Sequence, residues 1–592
     1  MSGNKLCRAE LVLASAQAGR WQRRRRTLME GTHSMRTNKE PGRCRWLRAV
    51  IRLAMLLAGT LTAGAVSAQD FLNTGPEVVV QTTFGPIAGV QNERIQVFHG
   101  IPYAAPPTGE RRFRQAVPPT KWQKPRPARL RTPACPQVFD LDDPAEDGDQ
   151  VMSEDCLTLN IWTPRADSKA RPVMVFIHGG ALEEGSAADS WLDGTALASA
   201  GDVVVVTVQY RLGALGFLEL ADIGGADFAE SGNLGILDQI LALRWVQQNV
   251  ARFGGDPGNV TIFGESAGGA SIHGLMAIPA ARDLFHKVII ESGDPGQFLA
   301  QDRATNIARE FMTLAHVTTV SALEKLSMED MLRAQSRLFD KGYGLATFAM
   351  VKDGRTFKTT PVQTVAADSR LSKPMIIGTN SEEMRYWIAL DASPIDEQPQ
   401  SVLGERLVRV FGSDAVGIID AYKQHGSTYA EAVCTLLGDA VFRMPSIRLA
   451  EINSTRQPTF MYLFTYRSLT RGPTGLEYGA MHGLELAFVF HVDSSAGYTY
   501  VGSKGSWSHL SDQMVEAWTR FARTGDPNGS ALPSWPRYDV ERRATMEFGQ
   551  HSDLVLDPYG GERRAWDRIS SDRFEDGEAA RLADPPPSTH AP

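Results

Sequence analysis

A serine between two glycines is the strongest chemical signal in this sequence. Residues 261–269 read TIFGESAGG, an apolar run that turns abruptly into G-E-S-A-G around Ser266. In such a nucleophile elbow the chain leaves a strand, turns sharply and enters a helix, so that the hydroxyl projects alone above a sheet. Gly264 and Gly268 are expected where a Cβ would collide with a neighbouring strand or helix. The sequence therefore predicts that Ser266 is a nucleophile.

A serine hydroxyl becomes a useful nucleophile only when a nearby base takes its proton and a third group orients that base. The chain has 12 histidines. His482 is the best candidate, because it lies among small residues in YGAMHG and is followed by the apolar run 486–490. On composition alone, four rivals remain: His178, His286, His491 and His509.

Two adjacent glutamates are candidates for the orienting acid. Residues 373–378 (KPMIIG) predict a short buried strand, and Glu382 and Glu383 follow it in TNSEEM. A carboxylate just past the carboxyl end of a parallel strand lies at the edge where α/β sheets place their sites. The chain order of serine, acid and histidine is that of the α/β-hydrolases.

A loop that could bind a negatively charged oxygen follows another predicted strand. Residues 172–177 (PVMVFI) form the apolar run, and HGGA follows at 178–181. A loop of the H-G-G-G type supplies backbone N–H groups to a tetrahedral oxyanion, together with the residue after the nucleophile, Ala267. These four parts together predict acyl-transfer chemistry.

The chain resembles a type-B carboxylesterase, the family that includes cholinesterases and many bacterial esterases. The resemblance covers nearly all of residues 75–545. Besides the segments above, it rests on six motifs in order: 98–107 (FHGIPYAAPP), 153–160 (SEDCLTLN), 210–217 (YRLGALGF), 233–235 (NLG), 254–257 (GGDP) and 479–482 (GAMH).

The resemblance implies an α/β-hydrolase fold, with a β-hairpin at the start, a mostly parallel central sheet and helices on both faces. It also implies a long helical insertion between the acid and the histidine. The implied activity is that of a serine carboxylesterase, which hydrolyses small-molecule carboxylic esters through an acyl-enzyme. Neither a metal nor another cofactor is implied. The implied site residues are the triad Ser266, Glu383 and His482 and the oxyanion donors Gly180, Ala181 and Ala267.

The choice of Glu383 over Glu382 comes from the family register. In an extended segment successive side chains point to opposite sides, so only one of the two can face His482. The register places Glu383 inward and Glu382 outward, towards local backbone donors. The family motif has a glycine at the next position, where this chain has Met384.

Other activities on the same parts remain open. The triad would also serve an amidase or a lactonase. A non-catalytic adhesion protein of the same fold is a third alternative, although such proteins lose the nucleophile and this chain keeps it. Cholinesterases carry a tryptophan that binds the quaternary ammonium, and Glu146 stands at that position here. A choline ester is therefore not the expected substrate.

The first 68 residues differ from the rest in charge. They hold 13 basic and 3 acidic residues, and an apolar run from Leu53 to Val66 ends in Ala65–Ala68 (AVSA). This pattern predicts a secretory signal peptide cleaved near Ala68, with the true start at Met35 or Met29. The apolar run is shorter than the roughly 20 residues that a membrane span requires. The predicted product is secreted or periplasmic, with no stable membrane insertion after cleavage.

The remaining chain is predicted to hold a single α/β-hydrolase domain over residues 69–569 and a disordered tail over 570–592. Without the leader, 48 basic and 65 acidic residues remain, a formal charge of −17. Because a chain with this negative charge repels phosphate backbones, nucleic-acid partners are not expected.

Two of the five cysteines lie in the leader. In an exported protein, the family resemblance implies a disulfide between Cys135 and Cys156. Cys434 is expected to be a buried apolar side chain. Residues 140–149 between the bridged cysteines are rich in acids, in a spacing that does not fit an EF-hand.

Overall fold

A mostly parallel sheet forms the centre of the computed structural model. The structure describes residues 75–138, 151–339, 341, 347–390, 400–423, 428–492, 500–502, 507–575 and 582. All of these residues belong to one compact unit, residues 72–592. The predicted leader and the acidic segment 140–149 lie outside the described residues.

The strands of the described chain, in order, are β1 (Glu77–Gln81), β2 (Pro86–Gln91), β3 (Gln96–Pro102), β4 (Arg126–Pro127), β5 (Thr158–Thr163), β6 (Arg171–Ile177), β7 (Val204–Val208), β8 (Gly255–Glu265), β9 (Lys287–Glu291), β10 (Phe298–Ala300), β11 (Met350–Lys352), β12 (Met375–Asn380), β13 (Thr459–Phe464), β14 (Ser468–Arg471), β15 (Glu477–Gly479), β16 (Ala544–Phe548) and β17 (Ser552–Leu556).

The α-helices of the described chain are α1 (Thr195–Gly201), α2 (Gly213–Phe217), α3 (Ala221–Gly224), α4 (Leu234–Asn249), α5 (Ala267–Ala277), α6 (Gln301–Leu314), α7 (Val320–Leu323), α8 (Met328–Phe339), α9 (Pro361–Ala367), α10 (Arg385–Leu390), α11 (Gln400–Phe411), α12 (Ile418–Tyr422), α13 (Tyr429–Gly438), α14 (Met444–Ser454), α15 (Leu486–Val489), α16 (Ser508–Thr524) and α17 (Gly560–Ala565).

The central sheet has the strand order β1-β2-β3-β5-β7-β6-β8-β9-β12-β13-β16-β17, and β4 pairs with β2. Strands β1, β2 and β3 form an antiparallel meander, as the predicted hairpin required. From β7 to β16 every neighbouring pair is parallel. The buried strands are almost continuously apolar, as expected where helices cover both faces of a parallel sheet.

The register of four parallel strands brings the candidate site together. Ile177 of β6 pairs with Gly264 of β8, Gly264 with Ile290 of β9, and Ile290 with Ile377 of β12. The strands therefore end at the same edge of the sheet. The loops that leave this edge are the H-G-G-A loop, the nucleophile elbow, the segment after β9 and the acid loop.

Two apolar cores lie on the two faces of the sheet. Along β6, Val173, Val175 and Ile177 belong to one core, and Met174 and Phe176 belong to the other. Successive side chains of a strand point to opposite faces, which explains this alternation. The cores hold the sheet rigid beneath the loops of the site.

The segment between the acid and the histidine is more than a helical insertion. It contains helices α10 to α14 and a π-helical turn, Asp439–Arg443. It also contributes β13 to the central sheet, between β12 and β16, and the separate β14–β15 hairpin. The sequence predicted the helices and not these strands.

The start predicted for the disordered tail, residue 570, is too early in the chain. Residues Ser571–Phe574 form a 3-10 helix, and Phe574 is buried against Phe411 and Trp566. Burial of an aromatic side chain offsets the entropy lost on ordering this segment. Residues 583–592 lie outside the described part of the chain.

No helix among the described residues is long and apolar enough to cross a membrane.

Candidate active site

Ser266 occupies a strained turn between β8 and α5. Its backbone angles are φ 55° and ψ −123°, in a region that residues with a Cβ rarely adopt. A Cβ on Gly268 would lie 1.9 Å from the carbonyl oxygen of Ile177, and one on Gly264 would lie 2.7 Å from the same oxygen. Both glycines are therefore required by close backbone approach, as the sequence predicted.

His482 and Glu383 are in direct contact. The imidazole Nδ1 lies 2.6 Å from Glu383 Oε2, and the His482 backbone N–H donates to the Glu383 carbonyl oxygen at 3.2 Å. The other carboxylate oxygen of Glu383 accepts bonds from the Ser292 hydroxyl at 2.6 Å and the Asn380 N–H at 2.7 Å. Glu383 is 2% exposed, so these donors replace the water that a carboxylate would otherwise bind.

Among the described residues, His482 Nε2 has no hydrogen-bond partner. The bond from Nδ1 to a carboxylate favours the tautomer whose Nε2 carries a lone pair. This nitrogen can therefore accept a proton from a nucleophile.

The rival histidines lie in other surroundings. His178 stacks on Tyr210 with ring centroids 4.4 Å apart, and burial lowers its pKa to about 4. His286 Nδ1 accepts the N–H of Val260. His491 contacts Ser511 on α16, and the side chain of His509 is exposed.

Glu382 binds partners other than the His482 imidazole. Residues 381–384 form a turn rather than the extended segment that was expected, yet the two adjacent carboxylates still have different partners. Glu382 forms ion pairs with Arg385 and Arg467 and accepts the N–H of Ala480. The backbone donor lies 98 residues along the chain and is not the local donor that was expected.

The H-G-G-A loop adopts left-handed backbone angles at three successive residues. The φ values are 96° at Gly180, 55° at Ala181 and 64° at Leu182. Within the described chain, neither Gly180 N–H nor Ala181 N–H has an acceptor. Ala267 is the first residue of α5, where helix geometry leaves the N–H without an intrahelical acceptor. These three N–H groups remain available to a ligand.

Glu265 was missed as a site residue in the sequence. Its Oε1 lies 3.2 Å from His482 Nε2, and its side chain is 7% exposed. Burial raises the pKa of Glu265 to about 7, with Glu383 adding to the rise and His482 opposing it. Its place directly before Ser266 was the available signal, since the residue before an elbow nucleophile lies at the end of the same strand.

The pKa of His482 reflects opposing effects. Burial lowers it, but the negative charges of Glu265 and Glu383 and the hydrogen bond to Glu383 outweigh burial and raise the pKa to about 9. The negative charge of Asp294 raises the pKa further, by a smaller amount. Carboxylates on both sides of the ring therefore stabilise the imidazolium.

Two aromatic rings pack close to the imidazole. The ring centroid of Phe442 lies 4.6 Å and that of Trp387 lies 5.1 Å from the His482 ring. Phe442 lies in the π-helical turn and Trp387 in α10, so both come from the segment between the acid and the histidine. These rings restrict how the imidazole can turn, and they exclude water from its surface.

The disulfide that the resemblance implied is present. Cys135 and Cys156 are bonded, and both are fully buried. Cys434 is free and buried. Within the described residues, no group of three or more histidine, cysteine, aspartate or glutamate side chains is arranged to hold a metal ion.

Comparison with known proteins agrees with this geometry. The model of the carboxylesterase family matches residues 76–563. The para-nitrobenzyl esterase of Bacillus subtilis (strain 168) is 35% identical over 494 residues, which cover 82% of this chain and 98% of that protein. Human carboxylesterase 3 is 34% identical over 536 residues, which cover 83% of this chain and 90% of that protein.

Among solved structures, the carboxylesterase EST55 of Geobacillus stearothermophilus, determined at pH 6.2, superposes with a TM-score of 0.74 at 36% identity. The match covers 82% of this chain and 99% of that chain. The fold and these matches define a hydrolase with the α/β-hydrolase architecture. The chain belongs to the carboxylesterase family.

Proposed function

We propose that this carboxylic ester hydrolase acts through a triad of Ser266, His482 and Glu383. Ser266 Oγ attacks the ester carbonyl carbon while His482 Nε2 takes its proton. The imidazolium then protonates the leaving alkoxide, which departs as the alcohol and leaves an acyl-serine. Water then gives a proton to the same imidazole and attacks the acyl-serine. The imidazolium returns that proton to Ser266 Oγ as the carboxylic acid leaves.

The observation that carries this proposal is the contact between Glu383 and His482 beside a strained elbow. The 2.6 Å bond from Nδ1 orients the ring and stabilises its charged form, and in the neutral form it leaves Nε2 unprotonated. A serine held at φ 55° projects from the turn that links β8 to α5. An acid, a base and a nucleophile in this order are what acyl transfer requires.

The backbone N–H groups of Gly180, Ala181 and Ala267 supply the oxyanion site. The charge that develops on the carbonyl oxygen during attack is stabilised by fixed N–H dipoles that need no rearrangement. Gly180 and Ala181 both have positive φ values, and within the described chain neither N–H has an acceptor. The methyl group of Ala181 leaves its N–H intact.

Covalent labelling tests the assignment of the nucleophile. A phosphonate ester adds to an activated serine, so peptide mapping by mass spectrometry should find the adduct on Ser266. Ser266→Ala should lose the label and lower the kcat for p-nitrophenyl acetate by about 10⁴- to 10⁶-fold. Ser271→Ala, in α5 directly after the elbow, is the matched control and should keep both the label and the activity. A label on another serine would refute the proposal.

The leader and the disulfide support export from the cytosol. The signal peptide predicted over the first 68 residues would yield a mature chain that begins at Gln69, in a compartment where disulfides persist. Intact-mass analysis of the exported protein should find this N-terminus and a Cys135–Cys156 pair lacking two hydrogens. A mature chain that still carries residues 36–68 would contradict the cleavage.

A further inference from the structure

Glu382 holds the loop that carries the histidine of the triad. Its Oε2 accepts the backbone N–H of Ala480 at 3.0 Å, and its own N–H donates to the Ala480 carbonyl oxygen at 3.1 Å. Ala480 lies two residues before His482 in the chain. The acid loop and the histidine loop are thus joined through a charged side chain as well as through the backbone.

Two arginines from different elements fix the orientation of Glu382. Arg385, the first residue of α10, donates from Nε to Oε1 at 2.9 Å. Arg467, which directly precedes β14, donates from Nη1 to Oε2 at 2.5 Å. The side chains of Glu382 and Arg385 are 15% and 13% exposed, so both ions are largely withdrawn from water. The bond to Arg385 is of the partly buried, charge-assisted kind that restrains its partners more than a surface pair does, whereas the Arg467 side chain is 46% exposed.

Further bonds tie Arg385 to the same region. Its Nη1 donates to the Glu477 carbonyl oxygen in β15, and its Nη2 donates to Glu431 Oε1 in α13. The strand β15 leads directly into the histidine loop. The carboxylate of Glu382 is therefore the centre of a network that connects α10, α13, β15 and the loop of His482.

We propose that Glu382 is a positioning residue for ester hydrolysis, which sets the placement of the His482 imidazole through Ala480. The inference rests on the proposed triad. Proton transfer from Ser266 depends steeply on the position of Nε2, and displacement by about 1 Å can cost 10²-fold in rate. Loss of the Glu382 carboxylate loosens the histidine loop and lowers kcat without removing a group that touches the substrate.

This role differs from an electrostatic one. Glu265, Glu383 and Asp294 are the carboxylates that raise the pKa of His482, and the charge of Glu382 is balanced by two arginines. A positioning residue should therefore change the height of the pH–rate profile and leave its acidic limb in place.

Glu451 provides a matched control for the loss of a paired carboxylate. It forms ion pairs with Arg543 and Arg448, and its side chain is 18% exposed. It lies on α14, and none of these contacts involves the triad. Glu451→Gln removes a carboxylate with a similar number of arginine partners and similar burial.

The experiment compares Glu382→Gln and Glu451→Gln in the full-length mature enzyme with p-nitrophenyl acetate. Glutamine keeps an oxygen for Ala480 but loses the charge that both arginines bind, so we expect kcat to fall about three- to tenfold with KM within about twofold. The acidic limb should not move. Glu451→Gln should lower the unfolding temperature comparably and leave kcat unchanged.

Several results would overturn the inference. One is a wild-type kcat in folded Glu382→Gln; another is a shifted acidic limb, which would make its role electrostatic. A loss as large as that of Glu383→Gln would make Glu382 the triad acid. If Glu382→Gln does not fold, Arg467→Gln removes one partner and should lower kcat about two- to threefold. An unchanged kcat in that variant would refute the inference.

Failure of the proposed function looks different. If Ser266→Ala kept esterase activity, the triad itself would be wrong, whatever the Glu382 variants did. If Ser266→Ala is inactive and Glu382→Gln is unaffected, only the positioning role fails.

Discussion

In the described part of the chain, carboxylates are paired with arginines in one region and are buried without arginine partners in another. The paired network, Glu451 and Asp557 with Arg448, Arg543 and Arg563, matches each acid with arginine. Burial alone would raise the pKa of Asp557, but the Arg563 hydrogen bond and the neighbouring arginine charges lower it below its usual range. In this region the arginine charges stabilise the ionised form of Asp557.

The acid cluster around the triad is organised differently. Glu265, Glu291 and Glu485 are buried, and among the described residues each has one carboxylate oxygen with no hydrogen-bond partner. Burial raises the pKa of Glu291 to about 8 and raises that of Glu485 well above its usual value. Of these three acids, Glu265 faces His482, the titratable base of the site.

The difference shows what each region is built for. In the paired network each acid has an arginine partner, so the ion pairs contribute to the stability of the fold. Unpaired buried carboxylates cost stability when ionised and make the neighbouring imidazole sensitive to pH. Such an arrangement is typical of a functional site rather than of a structural ion pair.

The largest effect is expected from the carboxylate that binds the imidazole directly. Glu383→Gln would place an amide at Nδ1, which favours the wrong tautomer and withdraws the charge that stabilises the imidazolium. We expect kcat to fall about 10⁴-fold, as in the Ser-His-Asp triad of serine proteases. Steady-state kinetics on folded protein measures this, and a loss below tenfold would mean that another acid orients His482.

The next effect concerns pH. His482 must be neutral to act as a base, and its pKa of about 9 predicts that kcat/KM falls as the pH drops below that value. An isolated imidazole would show this fall near 6.5. Glu265→Gln removes a negative charge beside Nε2, which destabilises the imidazolium and lowers its pKa.

The acidic limb of Glu265→Gln should therefore move to lower pH than that of the wild type. A pH–rate profile of both proteins, restricted to the range where circular dichroism finds them folded, gives the comparison. An acidic limb at the same pH in both proteins would show that the charge of Glu265 does not affect the pKa of His482.

The smallest catalytic effect is expected in the paired network. Glu451→Gln leaves Arg543 and Arg448 without their carboxylate, so the free energy of unfolding should fall by about 1–2 kcal/mol. The kcat should stay at the wild-type value. Denaturant unfolding measures the first quantity, and a change in kcat would break the separation between the two regions.

Local signals account for the parts of the site that could be predicted. The elbow needs glycines at 264 and 268 because a Cβ at either position would collide with the Ile177 carbonyl oxygen. Both glycines lie within two residues of Ser266, so a short sequence motif is enough to predict the turn. The loop after β6 is equally local. The apolar runs of β6, β8 and β12 predict parallel strands, and the loops that follow parallel strands lie at one edge of the sheet.

Contacts between distant segments could not be predicted in this way. Phe442 and Trp387 reach the imidazole because a π-helical turn and α10 fold back over it, and nothing in their own neighbourhood indicates a partner. Whether Glu382 or Glu383 faced His482 depended on a turn, for which alternation along a strand gives no rule. The order of Phe574 depended on an aromatic pocket formed by Phe411 and Trp566.

The backbone angles of Ser266 have a consequence for engineering. A residue with a Cβ at φ 55° and ψ −123° carries strain of about 1–3 kcal/mol, which glycine at the same position would largely relieve. Glycine at position 266 would therefore raise the stability of the fold and abolish hydrolysis. A library selected on thermal survival alone would enrich inactive glycine variants at this position, so directed evolution of this enzyme has to assay hydrolysis in the same round as the heat challenge.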